Sequence, residues 1–150
     1  MIRIRWETDY GLVLLGYLVH QPQPGVHTAR EVAEWARLPL PMVSKILKTL
    51  AREGILVSHR GVKGGYSLAQ HPEQISLAEV VQALEGPIGI TECASHPGAC
   101  DMERGCPVRV NWVRISQAFR ESLEKISLSE MYASPPPPLI RLGEAERTVQ

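Results

Sequence analysis

Outside residues 93–106 this 150-residue chain has no cysteine. The three it has, Cys93, Cys100 and Cys106, all fall in the stretch "CASHPGACDMERGC". An odd number excludes a complete disulfide framework, and a chain of this length buries a core without covalent staples. Net charge is also missing, because 16 basic and 16 acidic side chains cancel, so overall charge points to no partner. There is no long hydrophobic run. The opening "MIRIRWETDYGLVLLGYLVHQP" is interrupted by Glu7 and Asp9, is too short to span a bilayer, and has no small-residue cleavage site after its apolar part. The expectation is a cytoplasmic protein with no membrane partner. In a reducing cytosol, three clustered thiols suit a metal or redox site better than cross-links. No internal repeat is visible. No Ser/His/Asp or Cys/His catalytic arrangement can be argued, and no glycine loop precedes a helix as phosphate binding requires, so neither an enzyme nor a small-molecule substrate is expected.

What is present is ordered helical patterning over a globular hydrophobic content of 44%. Tyr10, Leu14, Leu15 and Leu18 recur at helical spacing over 8–20. After a loop with Gly25, the capping box Thr28–Glu31 opens a short helix with Val32, Ala33 and Ala36 on one side. "RLPLP" breaks it, and Pro41 stands in the first turn of a further helix, 41–53, whose buried stripe is Val43, Ile46, Leu47 and Leu50. Two short helices joined by a tight turn are the unit that DNA-binding proteins use. "ILVSHRGVKGGYSLA" follows as two strand-like runs, 55–57 and 66–68, around a basic glycine-rich tip. Helix–turn–helix and then hairpin is the order of a winged helix.

Ser76 and Glu79 cap another helix, which Gly86 stops. After Pro107, Val108, Trp112, Ile115, Phe119, Leu123 and Ile126 recur at intervals of 4, 3, 4, 4 and 3. This narrow seam suits pairing with a second copy of the helix, or packing on its own domain. The fold class expected is mainly α with a small β-hairpin wing (α+β): a winged helix–turn–helix head over 1–86, a cysteine loop over 87–107, a long dimerisation helix and its end over 108–131, and a Pro-rich, flexible tail over 132–150. Charge is unevenly spread along this order. Between His27 and Tyr66 lie seven Lys or Arg and three Glu, so the head is locally +4, which suits a nucleic-acid-facing surface.

The cysteine loop by itself leaves three chemistries open. Thiolates are soft ligands for zinc and for iron–sulfur clusters. The C-x6-C-x5-C spacing is wider than the paired knuckles usual in zinc sites. Free redox thiols are the third possibility.

In combination, "TDYGLVLLGYLVHQP", "LPLPMVSKILKTLAREGILVSHRGVKGGYSL", "ISLAEVVQALEGPIGITEC" and the cysteine loop resemble the Rrf2 family of bacterial transcription regulators. The likeness runs from about Ile2 to Met131 and is nearest to the branch that regulates SUF-system iron–sulfur cluster assembly. It implies a homodimeric regulator, expected to be a repressor, whose long helices cross and which binds double-stranded operator DNA. It also implies an iron–sulfur cluster, 2Fe–2S or 4Fe–4S, held by Cys93, Cys100 and Cys106, with cluster state selecting promoters. Three thiolates leave a fourth position. IscR-type members place a histidine three residues after the third cysteine; here that residue is Arg109, which cannot ligate a metal. NsrR-type members use an aspartate in the first helix of the partner subunit, and the matching residue is Asp9. Glu7, Glu92 and His96 are rivals, and a first-turn acid is commonly just a partner for the helix dipole. On the DNA side the helix 41–53 would lie in the major groove with its N-terminal part facing base edges, so that Pro41, Met42, Ser44 and Lys45 are expected to be exposed there, with Lys48 one turn on. A glutamate replaces Ser44 in IscR-type members. At the wing the candidates are His59, Arg60, Lys63 and Gly64, where glycines let the backbone approach phosphates, and the resemblance places Arg60 in the minor groove. The competing expectations are a nitric-oxide- or redox-responsive NsrR-like repressor and a zinc-stabilised or thiol redox protein.

Overall fold

A computed structural model describes residues 3–133. The order is α1 (Trp6–Val19), α2 (Ala29–Ala36), α3 (Leu40–Arg52), β1 (Leu56–His59), β2 (Gly65–Leu68), α4 (Leu77–Glu85), α5 (Glu92–Ser95), α6 (Arg109–Glu124) and α7 (Leu128–Ala133). This is the mainly helical architecture with a two-stranded wing that the residue pattern predicts. Thr28 and Glu31 form a reciprocal capping box on α2, and Ser76 and Glu79 form one on α4. The helix–turn–helix corner is made without glycine. Arg37 takes a left-handed conformation (φ 55°) and its N–H returns to Ala33 and Glu34 carbonyls. Pro39 then caps α3.

The stripes predicted on α1, α2 and α3 meet in one core. Leu14, Leu15, Val32, Val43, Leu47, Leu50, Val80 and Leu128 are fully buried there. Truncating any of these leucines to alanine costs about 2–5 kcal/mol. Gly11 lets α4 approach α1, since a Cβ there would stand 2.5 Å from Leu84 Cδ1. Thr8, also fully buried, donates to Glu85 Oε1 at 2.5 Å, and Arg5 pairs with the same carboxylate at 2.8 Å. The start of α1 is thereby tied to the end of α4.

Three features depart from expectation. The hairpin gains a third short segment, because His27 exchanges backbone hydrogen bonds with Tyr66 (2.9 and 2.8 Å), where only a loop was expected. The long helix ends at Glu124, not Ile126. The Ile126 carbonyl accepts from Leu77 N–H and Leu128 N–H donates to the Ile75 carbonyl, and the chain turns back into α7. The cause is a third capping box, Ser127–Glu130, followed by Leu128 entering the main core and Tyr132 donating to the Leu12 carbonyl. Tyr132 and Ala133, assigned to the tail from sequence, therefore belong to a helix; the rest of that tail, 134–150, lies outside the described residues.

The seam on α6 splits. Leu123 packs on a small second core of Leu77, Ala78, Val81 and Ile88. Val108, Trp112, Ile115, Phe119 and Ile126 stay exposed on the single chain, Ile115 at 47%.

Candidate functional site

The basic face has two parts. On α3 the apolar stripe turns inward, so that Pro41, Lys45 and Lys48 are exposed and Ser44 is half-buried. Met42 and Ser44, both expected to be exposed, are instead half-buried, and Met42 packs against the main core. Lys45 Nζ lies 3.8 Å from the Glu7 carboxylate of α1, a contact no sequence period announces because the helices are remote in the chain. At the wing, β1 and β2 pair in the register Val57↔Ser67 and His59↔Gly65. That leaves Arg60 and Lys63 in the exposed tip with Gly61 (φ 100°) at the turn. His59 is a strand residue, and its Nε2 shares a 2.8 Å hydrogen bond with Ser67 Oγ. Gly64 has a need internal to the hairpin: a Cβ would come 2.5 Å from the His59 carbonyl oxygen. Its lack of a side chain shapes the tip before any phosphate approaches.

The thiol loop is anchored on α6. Ile90 N–H donates to the buried Ser116 Oγ of α6 at 3.0 Å, which fixes the approach to α5. Cys93 points inward from α5, its sulfur 3.3 Å from Thr91 Oγ1. Beyond α5 the chain runs through consecutive turns. Cys100 and Cys106 are half-buried, and all three thiols are free. Cys100 lines an open pocket of about 570 Å³ with Asp101, Glu103, Arg104 and Arg109. Glu103 accepts from Arg109 Nη2 at 2.7 Å and Nε at 3.0 Å, and its other oxygen accepts from Gly98 N–H. Arg109, which rules itself out as a ligand, thus has a structural partner that sequence reasoning missed; the two residues lie across an irregular loop, where no periodicity brings them together.

An iron–sulfur cluster suits this donor set in kind: three free thiols in one turn-rich loop, two of them partly open to solvent. Among the described residues no three Cys, His, Asp or Glu side chains are already gathered to hold a metal ion. Asp9 sits exposed in the first turn of α1. Among its rivals, Glu7 contacts Lys45, while Glu92 and His96 are exposed at the two ends of α5.

A helix–turn–helix whose second helix presents lysines, followed by a wing with a basic tip, defines a winged-helix DNA-binding protein. Residues 4–134 match the family described as "Rrf2: Iron-dependent Transcriptional regulator". The chain is 31% identical over 131 residues to the helix–turn–helix-type transcriptional regulator slr0846 of Synechocystis sp., covering 87% of this chain and 88% of that one. It is 28% identical over 125 residues to the regulator NsrR of Shouchella clausii, covering 83% and 84%. The structure of CymR, the global cysteine regulator of B. subtilis, superposes with a TM-score of 0.68 at 26% identity, over 89% of this chain and 98% of that one. The chain belongs to the Rrf2 family. It is a DNA-binding transcriptional regulator and not an enzyme, and no helix among the described residues is long and apolar enough to cross a membrane.

Proposed function

We propose that the chain acts as a homodimeric repressor whose cysteine loop holds an iron–sulfur cluster and which adjusts transcription of iron–sulfur (SUF) assembly genes to cluster status. The observation that carries this is the placement of all three thiols, free, in one loop between the winged head and the exposed face of α6. Cys93, Cys100 and Cys106 would be the protein ligands, with Asp9 of the partner subunit as the fourth. The cluster, when bound, supplies an oxidation- and loss-sensitive centre at that junction. Lys45 and Lys48 of α3 would face the major groove, and Arg60 and Lys63 of the wing the neighbouring backbone and minor groove. Ser44, Met42, His59 and Gly64 would shape those contacts from half-buried or strand positions. Two recognition helices in one dimer must meet successive major grooves roughly 34 Å apart, so a small change in head placement alters which operators fit.

Anaerobic purification tests this. Brown protein with visible absorbance and matching iron and sulfide is expected, lost on replacing any one of the three cysteines by alanine while the dimer persists. Affinities for a cluster-assembly promoter and for random DNA, at one salt concentration, should then change by different factors when the cluster is removed; an unchanged ratio rules out the cluster as the switch. The likeness to a global cysteine regulator, together with the free thiols, supports a second reading, thiol-redox control. Colourless anaerobic protein whose DNA affinity follows oxidation would favour it.

A further inference from the structure

Residues 96–107 have no hydrophobic anchor. No side chain in that stretch is buried, and the only ones half-buried are Cys100, Glu103 and Cys106. Its backbone bonds are local turns, such as Glu103 N–H to the Cys100 carbonyl at 3.0 Å and Arg109 N–H to the Cys106 carbonyl at 3.4 Å. Long reach across the loop comes from one carboxylate. Glu103 lies midway between Cys100 and Cys106 and joins Gly98, near the start, to Arg109, the first residue of α6. Its side chain is 14% exposed, so these charge-assisted bonds are partly sheltered from water.

We infer that Glu103 and Arg109 form a clamp that sets the conformation of the cysteine loop and so governs the access of a thiophilic group to Cys100 and Cys106. That the group is a cluster rests on the proposed function; the clamp does not. The chemistry requires a carboxylate at 103. An amide has one acceptor oxygen, so glutamine must release either Gly98 or Arg109 and turn an N–H donor toward another donor. Arg109 carries no acceptor and acts only through Glu103. Both are positioning residues. Cys93 is outside the clamp, held by α5 and the packing beneath it.

The test uses the full chain, freed of metal, and reads the alkylation rate of each thiol by iodoacetamide and mass spectrometry. In Glu103→Gln and Arg109→Gln, the rates at Cys100 and Cys106 should rise about fivefold, the scale set by a partly exposed ion pair. Cys93 should be unchanged, and Arg109→Lys should show a smaller rise because a lysine keeps the charge without the fork. Unchanged rates at Cys100 and Cys106 in both glutamine variants would overturn the clamp, and so would an equal rise at Cys93, which signals general loosening. In anaerobically purified protein the same variants should lose visible absorbance faster than wild type. Wild-type protein that takes up no cluster sinks the cluster assignment, while the alkylation rates still decide the clamp.

Discussion

The exposed face of α6 offers a quantitative test of self-association. Ile115 is 47% exposed and Phe119 39% exposed on the isolated chain, and Trp112 and Val108 continue the same stripe. Burying a whole isoleucine side chain is worth about 1.5–3 kcal/mol, so the uncovered half of Ile115 is worth about 0.7–1.5 kcal/mol. A twofold interface uses each residue twice. Ile115→Ala should therefore weaken dimerisation by about 1.5–3 kcal/mol, or roughly tenfold to a hundredfold in Kd. Ile115→Asp should do more, because a carboxylate would be desolvated on both sides. Gln117 lies half a turn away on α6, hydrogen-bonded to Glu121, and Gln117→Ala serves as the control. Sedimentation over a dilution series gives the dissociation constants, with a circular dichroism spectrum to show that the monomer is folded. A dimer of unchanged strength in Ile115→Asp would refute the assignment of this stripe to a partner helix.

The tie between α1 and α4 is expected to be pH-sensitive. Burial pushes the Glu85 carboxyl up, but the hydrogen bonds from Thr8 and from the Arg5 backbone and guanidinium, with the Arg5 charge, outweigh it and hold the carboxyl below its ordinary value. A lowered folded value means the stabilisation is complete above the ordinary carboxylate range and is lost as pH falls through the folded value. Thr8→Val should cost about 1–3 kcal/mol in urea unfolding at pH 7, with a smaller difference in acid. Equal differences at both pH values would sink the argument. Glu7→Gln frees Lys45 from its 3.8 Å contact; titration should show operator binding strengthened by up to about fivefold, the limit for an exposed pair, and no change would mean the contact is idle. Arg60→Ala should weaken operator binding and reduce the slope of log affinity against log salt by about one; an unaltered slope would place Arg60 off the DNA.

Local rules made much of the head legible in the sequence. Capping boxes at Thr28 and Ser76, Pro41 in a first helical turn, and apolar residues at helical intervals depend only on neighbours a few positions away, so they could be read before any fold was known. The same patterning showed that Arg60 and Lys63 belong to a hairpin tip. The Ser127–Glu130 box was equally local and readable, yet the apolar seam running up to Ile126 masked it. Other features depended on residues far apart in the chain. Whether Met42 faces out or in, whether Leu123 belongs to the seam or to its own domain, and whether Glu7 meets Lys45 are settled by how α1, α3, α4 and α6 cross. His27 becomes a strand partner only because Tyr66 arrives beside it. The cysteine spacing marked the loop as chemically special, but the conformation of that loop rests on Glu103 reaching both Gly98 and Arg109. A period in the sequence records which face of an element is apolar; it carries no information about which remote side chain that face, or an irregular loop, will meet. That is decided by packing.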